Sequence, residues 1–256
     1  MKRADELVFE RGLAESRSKA RALVEEGCVF CGGKCVDKPS RKLPDDAEIS
    51  VSSNAQTLKY VSRAGLKLEG FLEKFSVDVR GKDILDAGAS TGGFTDCALA
   101  AGAKSSVCVD VGSNQLHPKI AADPRVINME KTDIRSLTPA NFGGKTFDFI
   151  CADLSFISLE KVFGNIWGLL SEGGEAVLLV KPQFESAPKL MRLRGGVLKL
   201  EESLAALEKV LEFVEKDFPD AEIFGKMPSP IRGGDGNTEF LIGARKRKTE
   251  GGKSAK

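Results

Sequence analysis

The sequence predicts an α/β fold in which a seven-stranded doubly wound sheet follows a small α+β module. Beyond residue 80, short apolar strands alternate with helical segments, which is the pattern of a mostly parallel sheet with helices on both faces. Before residue 60, two short helices precede turn-rich β segments, and a polar stretch at 52–57 separates the two parts. We therefore expect domains at 1–58 and 59–245 and a basic, disordered tail at 246–256.

Composition limits the kinds of partner and compartment. The chain carries 38 basic and 37 acidic residues, so any nucleic-acid surface has to be a local patch. The longest strongly apolar run, at 176–180, is far too short to span a membrane, and the charged amino terminus lacks the apolar core of a signal peptide. Six cysteines without an export signal indicate reduced thiols. We expect a cytoplasmic protein with no stable membrane association.

Two helices open the small module. Apolar residues at helical spacing predict the first over 3–11, and Gly12 is placed to end it. Ser16 is the expected cap of the second helix, which runs to Glu26 and is followed by short β segments. The basic residues on the second helix are, by themselves, more typical of a solvated helix face than of a binding site.

The order of turns in residues 1–52 resembles the alpha-L RNA-binding module first named from a small-subunit ribosomal protein. The resemblance rests on Gly-Leu-Ala-x-Ser-Arg before the second helix, then Glu-Gly-x-Val, Gly-Gly-Lys, Lys-Pro-Ser and a closing Asp-Asp-x-x-Ile-x-Val. It implies that basic side chains of the module contact RNA. The candidate contacts are Arg3, Arg17, Lys19, Arg21, Lys38, Arg41 and Lys42.

Three cysteines in this module have a spacing that is compatible with part of a zinc site. Cys28, Cys31 and Cys35 form C-x-x-C-x-x-x-C, but the single histidine of the chain, His117, lies in the other domain. Because a fourth ligand is missing, we expect no metal. The three thiols are instead expected at small apolar positions of a tight sheet.

The large domain begins with a helix for which Ser62 is the expected cap. Seven strands follow, and the last two are nearly consecutive, which suits a sheet whose final strand inserts antiparallel. A helix with a clear apolar face is predicted at 200–214, and the basic loop at 185–198 ahead of it is a candidate substrate lid. The strands are predicted at Asp83–Ala87, Ser106–Val111, Arg125–Met129, Phe147–Asp153, Glu175–Lys181, Ala221–Lys226 and Thr238–Ala244.

A glycine-rich turn joins the first of these strands to the next helix. Its glycines let a ligand approach the backbone, whose free N–H groups point outward at a helix start. Ser90 replaces the middle glycine of a dinucleotide fingerprint, and Asp86 before the turn would repel a pyrophosphate. An acid there suits an ammonium and a sulfonium, so S-adenosylmethionine fits better than NAD, although a turn without any ligand stays possible. The expected cofactor residues here are Asp86, Gly88, Ser90, Gly92, Gly93 and Phe94.

Two further acids follow the second and third strands. Asp110 stands where an acid accepts the ribose hydroxyls of an adenosine ligand, and Asp133 is placed to accept from the adenine amino group. Either residue has the alternative of capping a helix. Acids at three successive carboxyl ends of strands nevertheless indicate a cofactor site, because ligands of open α/β sheets bind at that edge.

The fourth strand indicates the kind of acceptor. Asp153-Leu154-Ser155-Phe156 lacks the two prolines and aromatic residue of enzymes that methylate exocyclic amines. Cys151 lies inside the strand, where a thiol packs rather than reacts, which disfavours a cytosine-C5 nucleophile. An oxygen acceptor is therefore favoured.

Taken as a whole, the chain resembles the TlyA family, which joins an alpha-L module to an FtsJ-like ribose 2′-O-methyltransferase. The resemblance implies a catalytic tetrad of Lys67, Asp153, Lys181 and Glu239, with Arg63 as a further RNA contact. It also implies methylation of cytidine riboses in 16S or 23S rRNA, with rRNA or ribosomal subunits and not DNA as partners, and a haemolysin label on some members. The stretch at 186–191 departs from the family pattern and leaves the choice of RNA open. The matching motifs are Ser62–Leu68, Asp86–Thr95, Asp153–Ser158, Lys181–Glu185 and Gly236–Phe240.

The tetrad also suits the chemistry of a ribose hydroxyl. This group is a poor nucleophile at neutral pH, so it has to be held in line and lose its proton. A desolvated Lys181 beside the ammonium of Lys67 loses its own proton more easily and would serve as base, while the two carboxylates orient the lysines. Each of these residues alone is more typical of an ordinary ion pair. Two alternatives stay open: an rRNA-binding protein with an inactive fold, and a membrane-lytic protein, which the lack of an apolar span disfavours.

Overall fold

The computed structural model describes residues 1–52, 55, 59–186, 197–233 and 236–248. The chain forms two compact units, Met1–Arg63 and Ala64–Lys256. Most of the predicted lid loop lies outside the described residues, as does the predicted tail from residue 249 onwards.

The first unit packs two helices and five short strands around its own apolar core. Ser16 caps the second helix as expected, because its hydroxyl accepts a hydrogen bond of 3.2 Å from the backbone N–H of Lys19. The elements are β1 (Lys2–Arg3), α1 (Ala4–Glu10), α2 (Arg17–Glu25), β2 (Val29–Cys31), β3 (Lys34–Cys35), β4 (Lys42–Leu43) and β5 (Ile49–Val51). Strand β1 pairs with β4, and β2 pairs with both β3 and β5, all antiparallel.

The three clustered cysteines lie in or next to the paired strands β2 and β3. Cys28 and Cys31 are half-buried against the core of the unit, which confirms the apolar positions expected for them. Cys35 is exposed because it lies on the edge strand β3, so the expectation was wrong for this residue. Across the described ranges, no three or more His, Cys, Asp or Glu side chains are placed to hold a metal ion.

The second unit is built on a seven-stranded sheet. Its strands are β6 (Asp83–Ala87), β7 (Ser105–Val109), β8 (Val126–Met129), β9 (Phe147–Ala152), β10 (Leu170–Val180), β11 (Ala221–Pro228) and β12 (Phe240–Lys246). The order is β11-β12-β10-β9-β6-β7-β8. Strand β12 runs antiparallel to both β10 and β11, whereas β10, β9, β6, β7 and β8 pair in parallel. The predicted doubly wound sheet with an inserted antiparallel final strand is confirmed.

Helices pack on this sheet and bury its apolar side chains. They are α3 (Ala64–Phe75), α4 (Gly93–Ala100), α5 (Pro118–Ala121), α6 (Phe163–Leu169), α7 (Pro182–Glu185) and α8 (Leu200–Asp217). The predicted apolar face of α8 is buried only from Leu207 onwards. Leu200 and Leu204 stay 59% and 43% exposed, because the first turns of α8 bury a different side, that of Ser203 and Ala206. Within the described part of the chain, no helix is both long and apolar enough to cross a membrane.

Four neighbouring parallel strands end at one edge of the sheet. Strand β6 ends just before Gly88, β7 before Asp110, β9 before Asp153 and β10 before Lys181. The chain leaves β6 toward β7 on one side, while β9 lies on the other side, so the strand order reverses between β6 and β9. A crevice at such a switch point is where open α/β sheets bind ligands.

Candidate active site

The glycine-rich turn after β6 adopts a backbone conformation that requires glycine at two positions. Gly88 and Gly92 have φ values of +81° and +86°, in the left-handed region that side chains with a Cβ rarely adopt. A Cβ added at Gly88 would lie 2.7 Å from the carbonyl oxygen of Asp153, and one at Gly92 would lie 2.8 Å from Cδ1 of Leu116. The turn therefore packs directly against the loop that follows β9.

Asp110 fixes the other side of this turn. Its Oδ2 accepts a hydrogen bond of 2.8 Å from the backbone N–H of Ser90, and its Oδ1 accepts one of 2.7 Å from the N–H of Gly112. Strand β7 ends at Val109, directly before Asp110 and two positions short of the predicted Val111. Ser90 itself has a φ of +47°, so this position is strained and held by the Asp110 carboxylate.

A cavity of about 540 Å³ opens beside the turn. Gly88, Ser90 and Asp110 line it, together with Asp133 and Asp153. The helix-capping alternative also holds for Asp133, whose side chain accepts from the backbone N–H of Arg135 at 2.9 Å and begins a short 3₁₀ helix. The Asp133 carboxylate thus does both: it caps the helix and borders the cavity.

Four of the expected cofactor residues are buried and do not line the cavity: Asp86, Gly92, Gly93 and Phe94. Asp86 is 1% exposed, and its Oδ2 accepts from the backbone N–H of Thr95 at 3.0 Å and from the Thr95 hydroxyl at 2.8 Å. Burial raises the pKa of Asp86 to about 7. This corrects the expectation that Asp86 faces a cationic ligand, because the structure places its carboxylate beneath the turn, where it supports the start of α4.

Four charged side chains meet next to the cavity. Lys67 comes from α3, Asp153 follows β9, Lys181 follows β10 and Glu239 precedes β12. Nζ of Lys67 lies 2.6 Å from Oε2 of Glu239 and 3.8 Å from Oδ2 of Asp153. Nζ of Lys181 lies 2.6 Å from Oδ1 of Asp153. The structure therefore brings together the four residues that the family resemblance placed in a tetrad.

The arrangement of charges gives Asp153 the central position. Its two carboxylate oxygens face different lysines, and its side chain is 17% exposed. Lys67 and Glu239 are buried, so their ion pair is shielded from water and keeps a fixed geometry. The Lys181 side chain is 11% exposed, about as buried as that of Lys67, and Asp153 is the most exposed of the four. Two positive and two negative groups balance one another, which allows them to be buried together.

Two residues that the sequence did not single out belong to the same site. Ser155 places its Oγ 2.7 Å from Nζ of Lys181, which donates to it. Phe156 is 90% exposed, has a φ of +65° and borders the cavity, with its ring centre 5.2 Å from that of Phe184. A sequence gives little signal for either one, because an exposed aromatic in a left-handed conformation is visible only in the folded chain.

The basic residues of the first unit divide into two groups. Arg3, Arg17, Lys19 and Arg21 each have a carboxylate partner within the unit, at 2.7 to 2.9 Å. Lys38, Arg41 and Lys42 are exposed and have no ion pair among the described residues. Arg63, at the end of the unit, is half-buried. The second group therefore offers uncompensated positive charge to an anionic partner.

The switch-point cavity, its glycine turn and the balanced tetrad define the class of the protein, which is a Rossmann-like methyltransferase with an RNA-binding module at its amino terminus. Comparison with protein families agrees with this class: the FtsJ-like methyltransferase model matches residues 60–246, and the S4 domain model matches residues 2–49.

Known proteins resemble this chain over nearly its whole length. Hemolysin A of Brachyspira hyodysenteriae is 39% identical over 93% of this chain and 98% of its own. The 16S/23S rRNA (cytidine-2′-O)-methyltransferase TlyA of Mycobacterium tuberculosis is 38% identical over 95% of this chain and 89% of its own. A solved structure from Streptococcus thermophilus has a TM-score of 0.74 at 38% identity and covers 97% of this chain and 89% of that chain. The chain belongs to the TlyA family of FtsJ-like methyltransferases.

Proposed function

We propose that this protein transfers the methyl group of S-adenosylmethionine to the 2′-hydroxyl of a cytidine ribose in ribosomal RNA. The observation that carries the proposal is the position of Asp153, which borders the cavity and faces both lysines of the tetrad. A cofactor in the cavity and a hydroxyl at the tetrad would meet at this one residue.

The residues around the cavity fit S-adenosylmethionine. Gly88 borders the cavity without a side chain, and the carboxylate of Asp110 stands at the end of the second strand of the sheet, where an acid receives ribose hydroxyls. Asp133 is assigned to the adenine end of the cofactor, and Ser90 to the glycine-rich turn that lies along it. When bound, S-adenosylmethionine supplies an electrophilic methyl group on a sulfonium centre.

The tetrad prepares the acceptor oxygen. Lys181 is assigned as the base: once its ammonium has given up its own proton, the amine nitrogen accepts the proton of the 2′-hydroxyl, so that the oxygen becomes nucleophilic. Asp153 holds the amino group of Lys181 in position, and Ser155 accepts a hydrogen bond from the same nitrogen. Glu239 holds Lys67 in place. The ammonium of Lys67 thus stays near the acceptor oxygen and stabilises the negative charge that develops there.

The nature of the substrate follows from the first unit and from relatives. The S4 domain supplies an RNA-binding module, and its unpaired cations at Lys38, Arg41 and Lys42 suit a phosphate backbone. A relative similar over the full chain is named for methylation of cytidine in 16S and 23S rRNA. We assign rRNA in ribosomal subunits as the substrate and the cytoplasm as the place of reaction. The exposed ring of Phe156 is assigned to stacking on the base of the target nucleotide.

Transfer of a labelled methyl group from S-adenosylmethionine to purified ribosomal subunits tests the proposal, with ribose-methylation mapping to find the nucleotide. We expect incorporation into a cytidine ribose by the full chain. An inactive RNA-binding protein predicts instead that rRNA binds while calorimetry detects no cofactor binding. Incorporation into a base rather than a ribose would overturn the assignment of the acceptor.

A further inference from the structure

We propose that Glu185 is a positioning residue of the active site, which fixes the loop carrying Asp153 and Ser155 against the turn carrying Lys181. The inference rests on the proposed function, since the rate of methyl transfer is its readout. Glu185 lies four positions after Lys181, at the end of the one-turn helix α7. Its side chain therefore leaves the same turn as the lysine but is directed to different atoms.

Glu185 is tied to the loop after β9 by two hydrogen bonds. Its Oε2 accepts one of 2.6 Å from the hydroxyl of Ser158, and its Oε1 accepts one of 2.8 Å from the backbone N–H of Leu159. Glu185 is 7% exposed, so water competes little for these bonds. Both carboxylate oxygens are thus used to hold this one segment of the chain.

A second contact, from the neighbouring residue of α7, reaches the same loop. The ring of Phe184 lies 5.2 Å from that of Phe156, centre to centre. Phe156 has a left-handed φ of +65°, a conformation that persists only where the surroundings hold it. Phe184 and Glu185, which are consecutive in α7, therefore contact the loop on either side of Ile157.

The contacts between catalytic groups join the same two segments that Glu185 joins, the loop after β9 and the turn that carries Lys181. Lys181 reaches across to Oδ1 of Asp153 at 2.6 Å and to Oγ of Ser155 at 2.7 Å. If the loop after β9 shifts relative to α7, both distances change together. A misplacement of about 1 Å is enough to lower the rate of an enzyme about 100-fold.

A purely stabilising role explains this carboxylate poorly. Burial raises the pKa of Glu185 above its ordinary value in spite of the two hydrogen bonds. The charged form is therefore less favourable in the folded chain than in water, and a neutral side chain of the same shape would avoid that cost. The geometry points to the placement of the loop as the contribution of this residue.

The test compares E185A, E185Q and S158A with the parent protein in methyl transfer to ribosomal subunits, with calorimetry of S-adenosylmethionine binding and thermal unfolding alongside. The side-chain amide in the E185Q variant keeps an acceptor for Leu159 and donates to Ser158, so it should restore this attachment of the loop. E175A is the matched control, because Glu175 is also a largely buried carboxylate, paired with Lys82 and Arg245 away from the tetrad.

We expect E185A to lower kcat about 10-fold or more with cofactor affinity within about 2-fold of the parent, and E185Q to restore kcat. S158A, which removes one of the two bonds, should give a smaller loss of kcat and decides the matter if E185A does not fold. Unchanged kcat in both E185A and S158A, or an equal loss of kcat in E175A, would overturn the inference. If the parent protein itself transfers no methyl group, the proposed function fails instead.

Discussion

Lys67 and Glu239 lie 172 positions apart in the chain, yet Nζ of the lysine is 2.6 Å from Oε2 of the glutamate. The first helix of the large unit and the residue before its last strand are thus joined by a buried ion pair. Since Asp153 Oδ2 lies 3.8 Å from the same ammonium, this pair also sets the position of one catalytic carboxylate. The site is complete only when both ends of the unit are folded together.

The first prediction concerns Lys181 as the base. We expect K181A to lower kcat about 100- to 10,000-fold, the usual contribution of a general base, because the 2′-hydroxyl then loses its proton acceptor. Calorimetry should show unchanged S-adenosylmethionine binding, since Lys181 is outside the residues that line the cavity. K209A, which breaks an exposed pair with Glu160 at 2.9 Å, is the control. Methyl transfer by K181A at the parent rate would refute the assignment.

The second prediction uses the glycine turn. Gly88 and Gly143 both have positive φ values, +81° and +65°, so alanine is strained at either position. Only at Gly88 would the new Cβ meet backbone, 2.7 Å from the Asp153 carbonyl, whereas nothing lies within 4 Å at Gly143. We expect G143A to cost about 1 to 2 kcal/mol of stability and G88A to cost more and also to weaken cofactor binding. Equal cofactor affinities in the two variants would contradict this.

The third prediction concerns pH and Asp86. Burial raises the pKa of this carboxyl from 3.8 to about 7, so between these values the folded chain holds a proton that the unfolded chain releases. The resulting stabilisation is complete below about pH 4 and is lost as the pH rises through about 7. We expect the free energy of unfolding to fall over this range, and D86N, which mimics the protonated acid, to fall less.

Urea titrations between about pH 5 and pH 8 measure this dependence. D123N is the control, because Arg125 lowers the pKa of Asp123 and that half-buried carboxylate stays charged throughout the range. Parallel pH profiles for D86N and the parent protein would show that Asp86 does not hold its proton.

The sheet could be predicted from the sequence because its signals are local. Strand β6 was predicted with its observed bounds, Asp83–Ala87, since apolar residues end there at a glycine turn. The role of Asp86 could not be foreseen in the same way. Its position in the sequence is that of a ligand-facing acid, but the alternation of a strand directs the side chain under the turn to Thr95. One residue earlier or later would point to the other face of the sheet.

The four tetrad residues were predicted from the resemblance of the chain to a family and not from a local sequence pattern. They come from four separate segments, and contacts of this range depend on how the whole unit packs. Ser155, Phe156 and Glu185 were missed as members of the site for the same reason. Ser155 is distinguished by its 2.7 Å distance to Lys181, Phe156 by its exposed ring and Glu185 by its buried carboxylate. None of these features can be predicted from the sequence alone.

The fourth prediction separates the two groups of cations in the first unit. We expect the triple variant K38A/R41A/K42A to weaken rRNA binding and to reduce the slope of log K against log salt by about 2 to 3, one for each phosphate that is no longer neutralised. R17A/K19A/R21A should have the smaller effect, because carboxylates at 2.7 to 2.8 Å already compensate those charges. Binding of the full chain to rRNA, titrated with salt, measures both slopes. A larger loss in the second variant would place the RNA on α2 instead.

The fifth prediction concerns the exposed ring of Phe156. A base stacked on an aromatic side chain gains about 1 to 3 kcal/mol, so F156A should lower kcat/KM about 5- to 150-fold. F156Y keeps the ring and should retain activity. Because the side chain is 90% exposed, its removal exposes no core and should leave the melting temperature unchanged. I127A removes another exposed apolar side chain, on the edge strand β8, and should leave kcat/KM unchanged as well. If F156A and F156Y lose activity equally, the ring does not act by stacking, and the left-handed backbone at this position would be the feature that matters.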